Sequence, residues 1–253
     1  MDSTTRKIEV VADADEIARR AAEEFVTSAE AAARERGRFT VALSGGSTPR
    51  RLYRLLTDNE KPFRARVPWQ KCDFFFGDER HVAPDHPNSN YRMAQEAMFS
   101  KVSIPPENVH RIKSENPDAR KAAEDYEQEL RAYFRLARGQ LPRFDLVFLG
   151  MGPDGHTASL FPGTDALREE TRLVAAPRVE KLSTYRVTLM PPVLNNASCT
   201  IFLVAGVDKA ETLRAVLQGS YQPDLYPAQL VRPAVGKVLW LVDKAAASLM
   251  SSV

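Results

Sequence analysis

The sequence predicts an α/β protein in which helices cover both faces of an open, mostly parallel sheet. Short apolar runs alternate with amphipathic segments of helix length along all 253 residues. Strands that alternate with helices pair in parallel and are buried on both faces. Because no internal repeat, low-complexity tract or long linker divides the chain, we expect one α/β/α domain over residues 1–253.

Seven apolar runs are predicted to form the strands. Each is short, and most are rich in β-branched or aromatic residues. In chain order the runs are Ile8–Val11, Phe39–Leu43, Cys72–Phe76, Phe144–Leu149, Tyr185–Leu189, Thr200–Val204 and Val238–Val242.

Helices are predicted between these strands. The alanine-rich segment Ala14–Arg36 is amphipathic, and Gly37 ends it. A helix over Pro49–Leu56 is expected to have Thr48 as its N-cap and Pro49 as its first residue. The remaining predicted helices are Tyr91–Phe99, Asp118–Leu136 and Lys209–Leu217.

Composition limits the possible partners and compartments. With 35 basic and 33 acidic residues the formal net charge is +2, which gives no broad basic surface for nucleic acid. Cys72 and Cys199 are far apart beside apolar residues and are expected to be reduced. Since Met1–Lys7 has no apolar targeting core and no run has the length of a membrane span, we expect a cytoplasmic protein without membrane contact.

The segment Gly150–Ser159, with the sequence GMGPDGHTAS, is the strongest indication of a functional site. It follows the fourth predicted strand, and ligands of open α/β sheets bind at the carboxyl ends of strands. Asp154 and His156 provide an ionisable pair there. The segment formally matches the dinucleotide fingerprint, but Pro153 stands where the backbone would approach a pyrophosphate, and Pro162 prevents a full crossover helix. We therefore expect no dinucleotide.

The loop Ser44–Pro49 is predicted to bind a phosphate monoester. Gly45 and Gly46 allow a tight turn, Ser47 and Thr48 add hydroxyl groups, and the helix that follows directs its amides and dipole toward the loop. The lysine of a Walker loop is absent. An ordinary capped turn is the alternative interpretation.

Two further strand ends carry charged side chains. Asp78, Glu79 and Arg80 form a loop after the aromatic third strand, where a solvated surface turn is the alternative. Lys209 lies near a helix start, where its charge opposes the helix dipole, and this favours a role toward a ligand.

Neither a metal centre nor a serine nucleophile is expected. His81 and His86 flank Asp85 in a predicted surface loop, but their spacing matches no zinc-site pattern. The sequence also lacks the Gly-x-Ser-x-Gly element of serine hydrolases.

Five segments, in the same order along the chain, resemble 6-phosphogluconolactonases. They are SGGSTPRRLY, GDERHVAPDHPNSNYRMA, GMGPDGHTASLFPGT, RVTLMPPVLNNA and GVDKAETL, and the likeness continues through PAQLV and VLWLVDKAAA. The resemblance implies the Rossmann-like sheet that this family shares with glucosamine-6-phosphate deaminases and ribose-5-phosphate isomerases. It further implies hydrolysis of 6-phospho-D-glucono-1,5-lactone to 6-phosphogluconate in the pentose phosphate pathway, without a cofactor or metal.

Two alternatives to this activity are a deaminase-like enzyme and a sugar-phosphate sensor. The related deaminases carry a tyrosine where this chain has Arg80 and a glutamate where it has Phe161, and both departures favour the lactonase. A sensor of this architecture would be expected to carry a DNA-binding helix-turn-helix, for which the segment before Ala14 is too short.

The resemblance also implies roles for individual residues. His156 is the expected general base, oriented by either Asp78 or Asp154, and Arg80 is expected to stabilise the oxyanion. The resemblance implies a small sugar-phosphate lactone as the substrate, and the protein is expected to be a monomer or a weak homo-oligomer. The residues expected to bind the substrate are Gly45, Gly46, Ser47, Thr48, Asn90, Arg186, Asn195 and Lys209.

Overall fold

The computed structural model describes residues 3–251, and its central element is a sheet of six parallel strands in the order β1-β10-β9-β5-β2-β3. This confirms the predicted fold class. The strands among the described residues are β1 (Ser3–Val11), β2 (Phe39–Leu43), β3 (Cys72–Phe76), β4 (Asp78–Arg80), β5 (Leu146–Leu149), β6 (Val174–Ala175), β7 (Arg178–Val179), β8 (Thr184–Leu189), β9 (Cys199–Val204) and β10 (Val235–Asp243).

Helices separate the parallel strands, as the sequence predicts. They are α1 (Ala14–Arg36), α2 (Ser47–Leu56), α3 (Phe63–Arg66), α4 (Asn90–Ala97), α5 (Ala119–Tyr133), α6 (Pro191–Asn195) and α7 (Ala210–Gln218). The bounds of α1 are those predicted, and the structure shows a cap at each end. The Asp13 carboxylate accepts hydrogen bonds from the first-turn amides, and Gly37 ends the helix at φ 79°.

The predicted start of α2 is wrong. Gly46 is the N-cap at φ 110°, no side chain caps the helix, and Thr48 lies within the first turn. Glycine adopts this backbone conformation without the steric penalty of other residues, so the chain enters the helix before Thr48 is reached. Pro49 is still accommodated, because amides of a first turn need no partner within the helix.

A second, antiparallel sheet was not predicted. It has the order β4-β8-β6, and β7 also pairs with β8. Asp78–Arg80 is therefore a strand and not a loop, and the predicted strand Tyr185–Leu189 belongs to this sheet and not to the parallel one. The change of sheet occurs at Gly77, whose amide donates to Leu43 O at 2.8 Å before the chain leaves the parallel sheet.

Two buried tyrosines fix the carboxyl ends of neighbouring strands. The Tyr53 hydroxyl donates to the carbonyl oxygen of Ser44 at 2.9 Å and accepts from the backbone amide of Ser44 at 3.1 Å. The Tyr126 hydroxyl makes the corresponding pair of contacts with Phe76, at 3.1 and 2.9 Å. Each hydroxyl thus satisfies a backbone donor and acceptor at a point where the strand ladder ends.

Aromatic packing fills the space between α1 and the sheet. Phe25 contacts Phe39, Phe148 and Phe74, with ring centroids 5.2, 6.3 and 6.5 Å apart. Cys72 is buried, and both it and Cys199 are free thiols, as expected. None of the helices over residues 3–251 combines the length and apolar character of a membrane span.

The capping difference between α1 and α2 gives a stability prediction. Asp13→Ala is expected to lower the free energy of unfolding by about 1 kcal/mol, because it removes a side-chain N-cap. Thr48→Ala removes no cap and is expected to change the free energy of unfolding much less. Urea denaturation of both variants tests this, and an equal loss in the two would contradict the observed start of α2.

Candidate active site

A cavity of about 210 Å³ opens at the carboxyl edge of the parallel sheet. The loops that follow β2 and β5 converge there with the start of α4 and with two strands of the second sheet, β4 and β8. The residues that line the cavity are Ser44, Gly45, Gly46, Asp78, Arg80, Asn90, Gly150, Met151, Gly152, His156, Ala158, Ser159, Phe161 and Arg186.

The loop after β5 is held in a fixed shape by its own backbone. The Gly152 amide donates to His156 O at 2.9 Å, the Gly155 amide donates to Gly152 O at 3.0 Å, and the Thr157 hydroxyl donates to Gly150 O at 2.8 Å. A Cβ atom at position 152 would lie 2.1 Å from the imidazole of His156. The second glycine of the GMGPDG segment therefore provides room for the histidine.

Asp154, and not Asp78, makes the hydrogen bond to the imidazole. His156 Nδ1 lies 2.5 Å from Asp154 Oδ1, and the ring stacks on Phe161 with centroids 4.2 Å apart. Because a carboxylate only accepts hydrogen bonds, Nδ1 carries the ring proton and Nε2 keeps its lone pair.

Asp78 instead connects three elements around the cavity. Its carboxylate accepts hydrogen bonds from Ser159 Oγ at 2.7 Å and from Asn90 Nδ2 at 3.1 Å. The side chain is largely buried, with the residue only 8% exposed. Asp78 thus joins β4 to α4 and to the histidine loop.

Arg80 is held by neutral groups and faces a second arginine. Its guanidinium donates to Asn90 Oδ1 at 2.5 Å and to Asn88 O at 2.9 Å. Arg186 is its register partner across β4 and β8, and both line the cavity. Burial lowers the pKa of Arg186, and the charge of Arg80 lowers it further.

Glu79, between these two cavity residues, points into the protein and organises the start of α4. Its carboxylate accepts hydrogen bonds from the amides of Arg80, Asn90 and Tyr91 at 2.7–2.8 Å and from Ser89 Oγ at 3.0 Å. Burial raises the pKa of Glu79. Its role is to hold Asn90 beside Asp78 and Arg80.

The glycine loop contributes backbone and one hydroxyl group to the cavity. Gly45 is required by its close approach to Asn90, since a Cβ atom there would lie 1.8 Å from Asn90 Oδ1. Ser44 is among the lining residues, and its hydroxyl is buried without a hydrogen-bond partner among the described residues. The side chains of Ser47 and Thr48 do not line the cavity, although their amides begin α2 directly beside it.

Two further predicted binding residues, Lys209 and Asn195, lie outside this lining. Lys209 forms an ion pair with Asp208, although its charge acts on His156. Asn195 binds the main chain through both ends of its amide, donating to Leu230 O at 2.9 Å and accepting from the Arg232 amide at 2.7 Å. Both ends of this side-chain amide are thus used within the fold, and a contact of Asn195 with the substrate stays a prediction.

No role in the site was predicted from the sequence for Ser159, Phe161 or Lys181. Ser159 was seen only as part of the histidine segment, and the stacking of Phe161 on the imidazole has no sequence pattern that indicates it. Lys181 forms an ion pair with Asp154 and lies 4.8 Å above the Phe161 ring. It belongs to a distant segment, so that only the tertiary structure reveals it.

The electrostatic environment keeps His156 neutral. Burial is the largest cause that lowers its pKa, the charge of Asp78 opposes it, and the charges of Lys209, Arg186 and Arg80 lower the pKa further, to about 4 in total. Between residues 3 and 251, no group of three or more histidine, cysteine, aspartate and glutamate side chains is arranged to hold a metal ion.

The lowered pKa predicts the titration of His156. We expect the group to lose its proton near pH 4, so that it is a neutral imidazole at pH 7 and a cation only in more acidic solution. The ring signals in NMR spectra recorded from pH 3 to 8 test this, with His156→Gln to assign the resonance. A midpoint near 6.5 would show that burial and the surrounding cations do not control this residue.

Comparisons with known proteins agree with this architecture. The family model described as glucosamine-6-phosphate isomerases/6-phosphogluconolactonase matches residues 12–240. A 6-phosphogluconolactonase of Nostoc sp. is 40% identical over 246 residues, covering 97% of this chain and 99% of that protein. One of Synechocystis sp. is 42% identical over 212 residues, covering 84% of this chain and 85% of that protein.

A solved structure gives the same result for the fold. The 6-phosphogluconolactonase from Trypanosoma brucei superposes with a TM-score of 0.87 at 30% identity, covering 98% of this chain and 99% of that one. The resemblance recognised in the sequence is thereby confirmed. The chain belongs to the glucosamine-6-phosphate isomerase/6-phosphogluconolactonase family.

Proposed function

We propose that this protein hydrolyses 6-phospho-D-glucono-1,5-lactone to 6-phospho-D-gluconate in the oxidative branch of the pentose phosphate pathway. The names of the Nostoc and Synechocystis relatives support this activity. The structural support is that an oriented neutral imidazole and two facing arginines line the same small cavity.

The facing arginines are the observation that carries the proposal. Arg80 and Arg186 are directly opposite each other on antiparallel strands, an arrangement in which like charges destabilise the pairing. An anionic ligand between or beside them offsets this repulsion. A substrate with a phosphate group and a carbonyl oxygen that becomes negative in the transition state satisfies both cations.

The proposed chemistry begins at Nε2 of His156. This nitrogen removes a proton from water, and the resulting hydroxide attacks C1 of the lactone. Arg80 stabilises the tetrahedral oxyanion, an interaction typically worth about 3 kcal/mol. When the intermediate collapses, the bond from C1 to the ring oxygen breaks, and the imidazolium returns its proton to that oxygen. The new carboxylic acid then ionises and releases one proton to solvent.

The 6-phosphate is assigned to the glycine loop and the basic side chains around it. Gly45 and Gly46 line the cavity, and α2 begins directly after them, so the amides of its first turn are available to a bound anion. Arg186 and Lys209 supply the positive charge. Binding of the phosphate dianion beside these cations weakens the field that lowers the pKa of His156, so the base becomes stronger in the substrate complex.

Phe161 argues against the deaminase alternative. Its ring stacks directly on the imidazole of His156, at the position where the sequence resemblance places a glutamate in the deaminases. A phenyl ring cannot exchange a proton with the imidazole. Of the two side chains that contact the imidazole, Asp154 and Phe161, only Asp154 can therefore take part in a hydrogen bond with it.

The first functional prediction concerns the base. His156→Ala is expected to lower kcat by about 10²–10⁴ while binding of 6-phosphogluconate persists, since the imidazole acts in proton transfer. The rate is measured from the proton released during hydrolysis of freshly prepared lactone. A pH indicator follows this release in a buffer that contains the metal chelator EDTA. The matched control is His86→Ala, an exposed histidine that does not line the cavity. Near wild-type turnover in His156→Ala would remove the residue from the mechanism.

The second functional prediction concerns the phosphate. Arg186→Met is expected to reduce kcat/KM for the phosphorylated lactone by about 10²-fold, because a charge-assisted contact of ~1.5–3 kcal/mol is lost. With unphosphorylated gluconolactone, already a poor substrate, the same variant is expected to change kcat/KM little. An equal loss with both lactones would show that Arg186 does not bind the phosphate.

A further inference from the structure

Lys181 contacts both groups that support the imidazole of His156. It lies in the 3₁₀ turn Glu180–Leu182, between β7 and β8. Its ammonium forms an ion pair with Asp154 Oδ2, the carboxylate oxygen that His156 does not use. It also lies over Phe161, 4.8 Å from the centroid of the ring that stacks on the imidazole.

These contacts control orientation more than stability. The side chain of Lys181 is 51% exposed, and ion pairs at such positions contribute little to the free energy of folding. A carboxylate with only one oxygen engaged can rotate about its last side-chain bond. Lys181 engages the second oxygen, so that Oδ1 stays directed at Nδ1 of His156.

We propose that Lys181 is a positioning residue, which fixes the Asp154 carboxylate and the Phe161 ring and through them the reactive orientation of His156. This inference rests on the proposed lactone hydrolysis. Lys181 itself lies outside the lining of the catalytic cavity and forms part of the neighbouring groove, so it acts through its two contacts and not on the substrate.

The charges around His156 determine the sign of the expected effect. The groups that face the imidazole are Asp154 on its own loop, Asp78 and Arg80 from β4, Arg186 from β8, and Lys209 from the turn before α7. Lys181 neutralises part of the Asp154 charge. Its removal leaves that negative charge acting on the ring, which favours the imidazolium and raises the pKa of His156.

The test compares three variants. Lys181→Met removes the charge and keeps most of the chain length, Lys181→Arg keeps the charge, and Arg178→Met removes a neighbouring cation that pairs with Glu180 instead. Lys181→Met is expected to lower kcat about tenfold with KM changed less than about twofold, since misorientation affects the chemical step. The NMR titration of His156 is expected to move to higher pH in this variant. Lys181→Arg restores both quantities, and Arg178→Met leaves both unchanged.

Either of two outcomes would overturn the proposal. One is a Lys181→Met variant with wild-type kcat and an unchanged His156 titration, which would make the ion pair an ordinary surface contact. The other is an Arg178→Met variant with the same changes as Lys181→Met. That result would show that the effect comes from the total charge of the segment and not from the contacts of Lys181. If circular dichroism shows that Lys181→Met does not fold, Lys181→Gln replaces it, and the same measurements of kcat, KM and the His156 titration are made on that variant.

The experiment separates this inference from the proposed function. A wild-type protein without lactonase activity would refute the function alone. The titration of His156 in the ligand-free protein would still show whether Lys181 controls the imidazole, because it requires no substrate.

Discussion

The hydrogen bond between Asp154 and His156 is the interaction on which the rest of the site depends. It joins two residues of one loop at 2.5 Å, and the loop can hold it only because position 152 has no side chain. An imidazole whose Nδ1 is fixed to a carboxylate has one tautomer and one orientation. This contact leaves Nε2 free, and the roles proposed for the surrounding cations depend on a reaction that begins at this nitrogen.

Burial and positive charge act together in the cavity. They keep His156 neutral, and the facing pair of Arg80 and Arg186 leaves positive charge for a ligand to offset. Arg80 donates its hydrogen bonds to uncharged carbonyl oxygens. The carboxylate of Asp78 accepts hydrogen bonds from Asn90 and Ser159. The cavity is thus arranged before an anion enters, which is the property expected of a site that stabilises charge developing in a reaction.

Local patterns in the sequence predicted much of the fold, and long-range pairing accounts for most of what they missed. The helix α1 was predicted to the residue, because its amphipathic pattern and the glycine that ends it, Gly37, are signals within the segment itself. β4 was read as a loop because it has three residues and pairs with a strand more than a hundred positions away. In the site, Asp154 and His156 share one segment and were found, whereas Lys181 approaches them only through the tertiary structure.

A double-mutant cycle on kcat tests most directly whether Asp154 acts through His156. The cycle compares wild type, Asp154→Asn, His156→Ala and the double variant with freshly prepared lactone. If the carboxylate acts through the imidazole, Asp154→Asn lowers kcat strongly in the wild type and has almost no further effect once His156 is alanine. If Asp154→Asn instead lowers kcat by the same factor in both backgrounds, the carboxylate acts independently of the imidazole, and the account is contradicted.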